Sequence, residues 1–151
     1  MKQKLPEPML QAFAQAEAAA ARGEVPVGAV VVSELGKILA IAGNRTLEDK
    51  DPTAHAEILA IRAAAIALSS ERLTDCDIYV TLEPCAMCAA AISFARIRRV
   101  YFAAADQKMG AVENGPRFFS QATCHHKPEV YGGIGEAQSN ALLTNFFKTR
   151  R

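Results

Sequence analysis

The run DIYVTLEPCAMCAAAISFARIRRVYFA, from Asp77 to Ala103, decides the fold. Asp77 to Leu82 is rich in β-branched and aromatic residues and predicts a strand. Pro84 marks a helix entry, because proline has the right φ for the first turn and lacks only an N–H that a helix start leaves unpaired. Cys85 to Arg96 is alanine-rich and predicts that helix. Arg99 to Ala103 predicts the next strand. A strand, a helix and a second strand in close succession point to an α/β sheet.

On the N-terminal side, Pro8 to Arg22 predicts a helix stopped by Gly23 at the position after its C-cap. Val25 to Ser33 and Lys37 to Ala42 predict two strands. The turn around Glu34 to Gly36 is short enough for an antiparallel hairpin. Asn44 to Pro52 reads as a polar loop, and Ala54 to Leu68 as a helix with Thr53 or Asp51 as its cap. On the C-terminal side, Asp106 to Lys127 reads as a long irregular region. A short strand near Val130 and a closing helix from Glu136 to Thr149 follow. An opening hairpin and then alternating elements predict an α/β protein, a three-layer α/β/α domain around a mixed five-stranded sheet. No repeat, low-complexity tract or linker interrupts residues 1–151, so a single domain is expected.

The chain has 151 residues, half of them apolar, but 29 are alanine and none is tryptophan. Small side chains bury little area each, so the core must be closely packed. A net charge of +1 argues against a disordered chain and gives no warning of a nucleic-acid partner. Its distribution is more informative: residues 1–95 carry a net −4 and residues 96–151 a net +5. Phosphate contacts are expected in the second half, which ends in Lys148, Arg150 and Arg151. The longest stretch free of Asp, Glu, Lys and Arg is Pro84 to Ala95, twelve residues. A membrane-spanning helix needs roughly 20, so no membrane association is expected. The first residues lack the apolar core of a secretory signal, and a cytoplasmic location is expected. Disulfides are rare there, and Cys76, Cys85, Cys88 and Cys124 read as thiols or metal ligands.

Two short motifs carry chemistry, each at a helix start: His55-Ala56-Glu57 and Pro84-Cys85-Ala86-Met87-Cys88. Cys85 and Cys88 share a helix face, and a helix N-terminus favours their thiolates. Alone, Cys-x-x-Cys is ambiguous between zinc and redox chemistry. The redox version belongs near the first strand of a thioredoxin-like fold, which this order of elements does not offer. With His55 the cysteines give three protein ligands, and a zinc site with three keeps a position for water, as catalytic sites do. Glu57 leaves the helix in another direction and reads as a proton carrier, not a ligand. Its presence argues against a non-catalytic, zinc-stabilised RNA-binding module. Cys124, His125 and His126 look like a second cluster, but adjacent residues in one loop rarely complete a site, so a packed or exposed loop is expected. Cys76 reads as a bystander thiol.

His-x-Glu with Pro-Cys-x-x-Cys is the signature of zinc deaminases. The chain resembles the cytidine/deoxycytidylate deaminase superfamily, and within it the bacterial tRNA-specific adenosine deaminases. The resemblance rests on EVPVGAV (Glu24–Val30), Gly43-Asn44-Arg45, DPTAHAEI (Asp51–Ile58), YVTLEPCAMC (Tyr79–Cys88), RIRRV (Arg96–Val100), DQKMGA (Asp106–Ala111) and Phe146-Phe147 followed by basic residues. It implies a cytidine-deaminase-like fold and one Zn2+ per subunit on His55, Cys85 and Cys88. It also implies hydrolytic deamination of adenosine to inosine at the wobble position of a tRNA anticodon. Glu57 would carry a proton from water to the ring and then to the departing ammonia. Asn44 would hydrogen-bond the nucleotide, Val27 would line its pocket, and the backbone N–H groups of Ala56 and Cys85 would reach the ring or the water. Lys108, Phe147, Arg150 and Arg151 are the candidate RNA contacts. Arg98 and Arg99 read more readily as ordinary solvated charges than as RNA contacts, and Phe146 reads evenly as a core residue or as one that stacks on a base. The implied partners are an anticodon stem-loop and a second copy of the chain, with the alanines at 89–91 at the seam. One departure is the acidic loop Leu47-Glu48-Asp49-Lys50-Asp51, where family members often carry basic residues. The alternative activity is deamination of a free nucleobase or nucleoside, such as guanine or cytosine.

Overall fold

Val30 and Val31 are neighbours, both without solvent exposure, yet they belong to different cores. Successive side chains of a strand point to opposite faces, so a strand with no exposed residue must be covered on both sides. Strand β1 (Gly28–Val32) is buried along its whole length and is the second of five strands. The computed structural model describes residues 4–150. Strands β2 (Ile38–Gly43), β3 (Asp77–Leu82), β4 (Arg99–Ala104) and β5 (Glu129–Tyr131) complete the sheet in the order β2-β1-β3-β4-β5. Strand β1 runs antiparallel to β2 and β3, whereas β3, β4 and β5 are mutually parallel.

Helices α2 (Ala56–Leu68) and α3 (Ala86–Phe94) cover one face. There Ala60, Ala64, Ala89 and Ile92 pack against Val31, Ile78, Val80, Val100 and Phe102. Helix α1 (Glu7–Ala21) covers the other, placing Met9, Ala12 and Phe13 against Val30, Val32 and Ala103, with Leu142 of α4 (Glu136–Thr149) at the margin. The result is the expected three-layer α/β/α arrangement on a mixed five-stranded sheet. Helix α1 closes on Gly23 as expected. The Gly23 N–H donates to the Ala20 carbonyl and the Glu24 N–H to that of Ala19, the paired bonds of a Schellman end. Helix α4 is held differently. Of its residues only Ser139 is buried, and its hydroxyl donates to the Thr81 carbonyl of β3.

Most element ends fall within one or two residues of expectation, and three starts that differ lie beside the site. Strand β1 begins at Gly28, not Val25. Pro26 has no N–H to give to a ladder, the Val27 N–H turns back to the Val25 carbonyl at 2.8 Å, and the Gly28 N–H goes to the Thr81 hydroxyl. Helix α2 begins at Ala56, and its N-cap is His55, not Thr53 or Asp51. The Asp51 carboxylate instead accepts the N–H and hydroxyl of Thr53, closing a local turn before the helix. Helix α3 begins at Ala86 with Cys85 as its N-cap. Between Asp106 and Lys127 one short 3-10 turn forms, at Phe118–Ser120. No helix among the described residues is long and apolar enough to cross a membrane.

Candidate active site

His55 and Cys85 are both N-caps, yet neither side chain caps its own helix. The two side chains instead meet each other beside Cys88 of α3. His55 Nδ1 lies 3.7 Å from Cys85 Sγ and 3.6 Å from Cys88 Sγ. All three candidate ligand atoms lie within 4.8 Å of one another, and no other such group of His, Cys, Asp and Glu occurs among the described residues. Zn–S bonds of about 2.3 Å and Zn–N bonds of about 2.05 Å at tetrahedral angles put S and N about 3.6 Å apart. The cradle therefore fits zinc. Its charge fits as well. The hydrogen bond with Cys88 and then that with His55 push the Cys85 thiol down to about 4, leaving a thiolate at neutral pH. Cys88 is raised correspondingly, because it holds the shared proton that a metal ion would replace.

Glu57, in the first turn of α2, is 4% exposed. Burial raises its carboxyl to about 7, despite the opposing pull of its own backbone N–H. It lines a cleft of about 250 Å³ together with His55 and Cys85. Val25, Val27, Asn44, Thr46, Leu82, Glu83, Asp106 and Met109 complete its lining. A larger groove of about 730 Å³ shares Val25, Leu82, Asp106 and Met109 with it and extends past Lys108 to Asn140, Leu143 and Phe147 of α4.

The expected site residues thus fall into distinct places. His55, Cys85, Cys88 and Glu57 converge, and Val27 and Asn44 face the cleft. The Ala56 N–H is already donated to Asn44 Oδ1 at 2.8 Å, while Asn44 Nδ2 donates to the Val25 carbonyl, so Asn44 joins the β1 entry to the α2 start. Lys108 and Phe147 line the groove, Phe147 with 53% of its surface exposed. Arg150 turns elsewhere: its guanidinium sits 4.5 Å over the Phe146 ring and reaches the Ala20 carbonyl. Arg151 lies outside the described residues. One charge of the basic surplus is engaged by the acidic half, because Arg98 makes two 3.0 Å bonds to the Asp77 carboxylate; Arg99 pairs with Glu129, a charge already counted within its own half. The acidic loop also pairs within itself, Arg45 with Glu48 and Asp49. Cys124 and His126 tie their loop to Ser93 and to the Ile97 carbonyl, and His125 is exposed.

Two buried carboxylates have no counterpart among the expected site residues. Glu24 accepts the N–H groups of Leu47 and Glu48 and the Thr46 hydroxyl. Burial opposes its ionisation, but these bonds, with that from Glu48 strongest, hold it below the usual carboxylate range. Glu83 does the same for the loop from Asp106 to Asn114. The signal in the sequence is a lone acid at the edge of an apolar strand segment, before Val25 in one case and after Leu82 in the other.

Residues 2–104 match the family described as the cytidine and deoxycytidylate deaminase zinc-binding region. The chain belongs to this family. It is a zinc-dependent deaminase, with one zinc per subunit. The "tRNA-specific adenosine deaminase" of Agrobacterium fabrum is 59% identical over 93% of this chain and 91% of its own length. A solved structure from work on A-to-I editing by tRNA:A34 deaminases at the wobble position of transfer RNA superposes with a TM-score of 0.88. It is 59% identical and covers 90% of this chain and 98% of that one. The guanine deaminase of Nitrosomonas europaea shares the fold, with a TM-score of 0.80 at 22% identity over 96% of this chain and 86% of its own.

Proposed function

We propose that this protein deaminates adenosine to inosine at the wobble position of a tRNA anticodon. One observation carries the reading: a buried carboxylate, Glu57, shares a narrow cleft with His55 and Cys85 of a three-ligand zinc cradle. The identity to tRNA-specific adenosine deaminases over nearly the whole chain supports the choice of substrate.

His55, Cys85 and Cys88 would hold the zinc, which when bound supplies a polarised water beside the ring carbon that bears the amine. Glu57 would accept the first proton of that water and deliver it to the ring nitrogen, then take the second from the hydroxyl left on the ring carbon and pass it to the amine, which departs as ammonia. The reaction consumes one water and releases one ammonia. Burial around Glu57 favours its uptake of a proton, which suits it to carry one between water and the base. Asn44, Val27 and Met109, which line the cleft, hold the base. The cleft takes only a base turned out of its stack, as a loop nucleotide can be. The adjoining groove receives neighbouring nucleotides of an anticodon stem-loop, with Lys108 near phosphate and Phe147 available for stacking. Residues 1–151 act as one domain in the cytoplasm, as a homodimer. Support for the dimer is Phe94 at the end of α3, 74% exposed beside the half-buried Ala90 and Ala91.

The test is incubation of the zinc-loaded protein with an anticodon stem-loop carrying adenosine at the wobble position, and separately with free guanine and cytosine. Inosine in the stem-loop is expected; turnover of a free base alone sinks the tRNA reading. Sedimentation of the same preparation reads the oligomeric state.

A further inference from the structure

We propose that Glu83 is the positioning residue that folds residues 106–114 into one wall of the cleft. This deepens the proposed function and rests on its reading that the cleft takes the substrate base. Glu83 is 2% exposed. Its Oε1 accepts the Asp106 N–H at 3.0 Å and the Asn114 side-chain amide at 2.7 Å. Its Oε2 accepts the N–H groups of Val112, Glu113 and Asn114 at 3.0, 2.9 and 3.0 Å. No ion pair among the described residues involves it. A single carboxylate thus gathers both ends of a segment that has no helix or strand of its own, and removing it would leave those N–H groups without a partner.

The gathered segment is the one that reaches the substrate space. Asp106 and Met109 line the cleft, and Lys108 borders the groove beyond it. The Asp106 carboxylate, placed by Glu83, in turn accepts the N–H groups of Lys108 and Met109. Gly110 shows how tightly the loop is drawn in. A Cβ there would press on the Asp106 carbonyl oxygen, within the same loop, and stand 2.5 Å from the Glu83 carboxyl carbon and from its Oε2. Only Pro84 separates Glu83 from Cys85, and the Pro84 carbonyl accepts the Ala111 N–H at 2.9 Å. The wall is therefore referenced to the same turn that presents a zinc ligand. An error of an ångström in such a wall costs up to about a hundredfold in rate.

The test uses the zinc-loaded protein with Glu83→Gln and, separately, Gly110→Ala, which leaves the carboxylate intact and drives a methyl group against it. Zinc content, hydrogen–deuterium exchange and steady-state kinetics on the stem-loop are read together. Zinc is expected to stay at one per chain, exchange at 112–114 to quicken at least tenfold, and KM to rise about tenfold with a smaller change in kcat. Unchanged exchange in both variants overturns the proposal, as does faster exchange with KM and kcat both unaltered. If Glu83→Gln loses zinc or fails to fold, Gly110→Ala decides by the same criteria. If the wild type ignores the stem-loop but deaminates a free base, the substrate assignment has failed, and the KM split is read on that base instead.

Discussion

Asn44 Oδ1 accepts the Ala56 N–H at 2.8 Å, so a side chain twelve residues upstream pairs a first-turn N–H of the helix that begins behind His55. The usual local cap is missing there, and the bond from Asn44 takes its place. Asn44→Ala is expected to lower stability by about 1 kcal/mol, the ordinary worth of a cap. It should also lower kcat/KM, because the start of α2 carries His55 and Glu57. Urea unfolding beside stem-loop kinetics checks this, and full activity in a destabilised variant would confine Asn44 to a structural role.

Glu57→Ala should retain zinc at one per chain and lose turnover by at least about a hundredfold, the range for removing a positioned acid–base group. Metal analysis and inosine formation are the two measurements. Residual turnover near the wild-type level would contradict the proton-carrier role.

Glu24 ties stability to pH with a definite sign. Its carboxyl is held below its ordinary value of 4.5, so its contribution is complete above that value and fades as pH falls through the lower, folded one. Glu24→Gln should cost about 2 kcal/mol at pH 7, since hydrogen bonds to a charged group are lost. The gap between wild type and variant should then narrow below pH 4.5. Urea midpoints at a series of pH values test this; a constant gap would show that ionisation is not what holds residues 46–48.

Chelation of the metal should lower the melting temperature, and zinc should restore it, because an ion bound only by the folded chain stabilises it by mass action. Cys88→Ala should abolish the response. A melting temperature indifferent to chelator would mean that the cradle does not contribute to folding.

Among the basic residues, Lys108→Ala is expected to weaken stem-loop binding and to reduce the slope of log affinity against log salt by about one. Arg99→Ala should leave the slope nearly unchanged, because Arg99 is already engaged by Glu129. Filter binding across a salt series separates the two, and equal effects would show that the Arg99 pair opens on the RNA.

The strand from Asp77 to Leu82, the closing helix and the zinc cradle could all be read from the residues, because periodicity, proline and ligand spacing are local signals. The cleft walls could not. Residues 106–114 have no periodic pattern, and what shapes them is one carboxylate more than twenty residues away in the chain. Asn44 was legible as a site residue, but its pairing with Ala56 depends on how the hairpin packs against α2. Charge misled for the same reason: Arg98 counts toward a basic half in the sequence, while its carboxylate partner Asp77 lies in the acidic half, on the strand beside β4.

Helix α4 is pinned to the sheet by Ser139 and rests Leu142 against the margin of one core, while the face carrying Leu143, Phe147 and Lys148 contributes to neither. Leu143, Thr144, Phe147 and Lys148 can therefore drift in sequence with little penalty to folding, while the zinc cradle, set between α2 and α3, stays fixed. On the proposed function, chemistry and target choice are in this way separable in heredity: with α4 meeting the RNA, a lineage can retune which polynucleotide it accepts along one helix without risking the reaction itself.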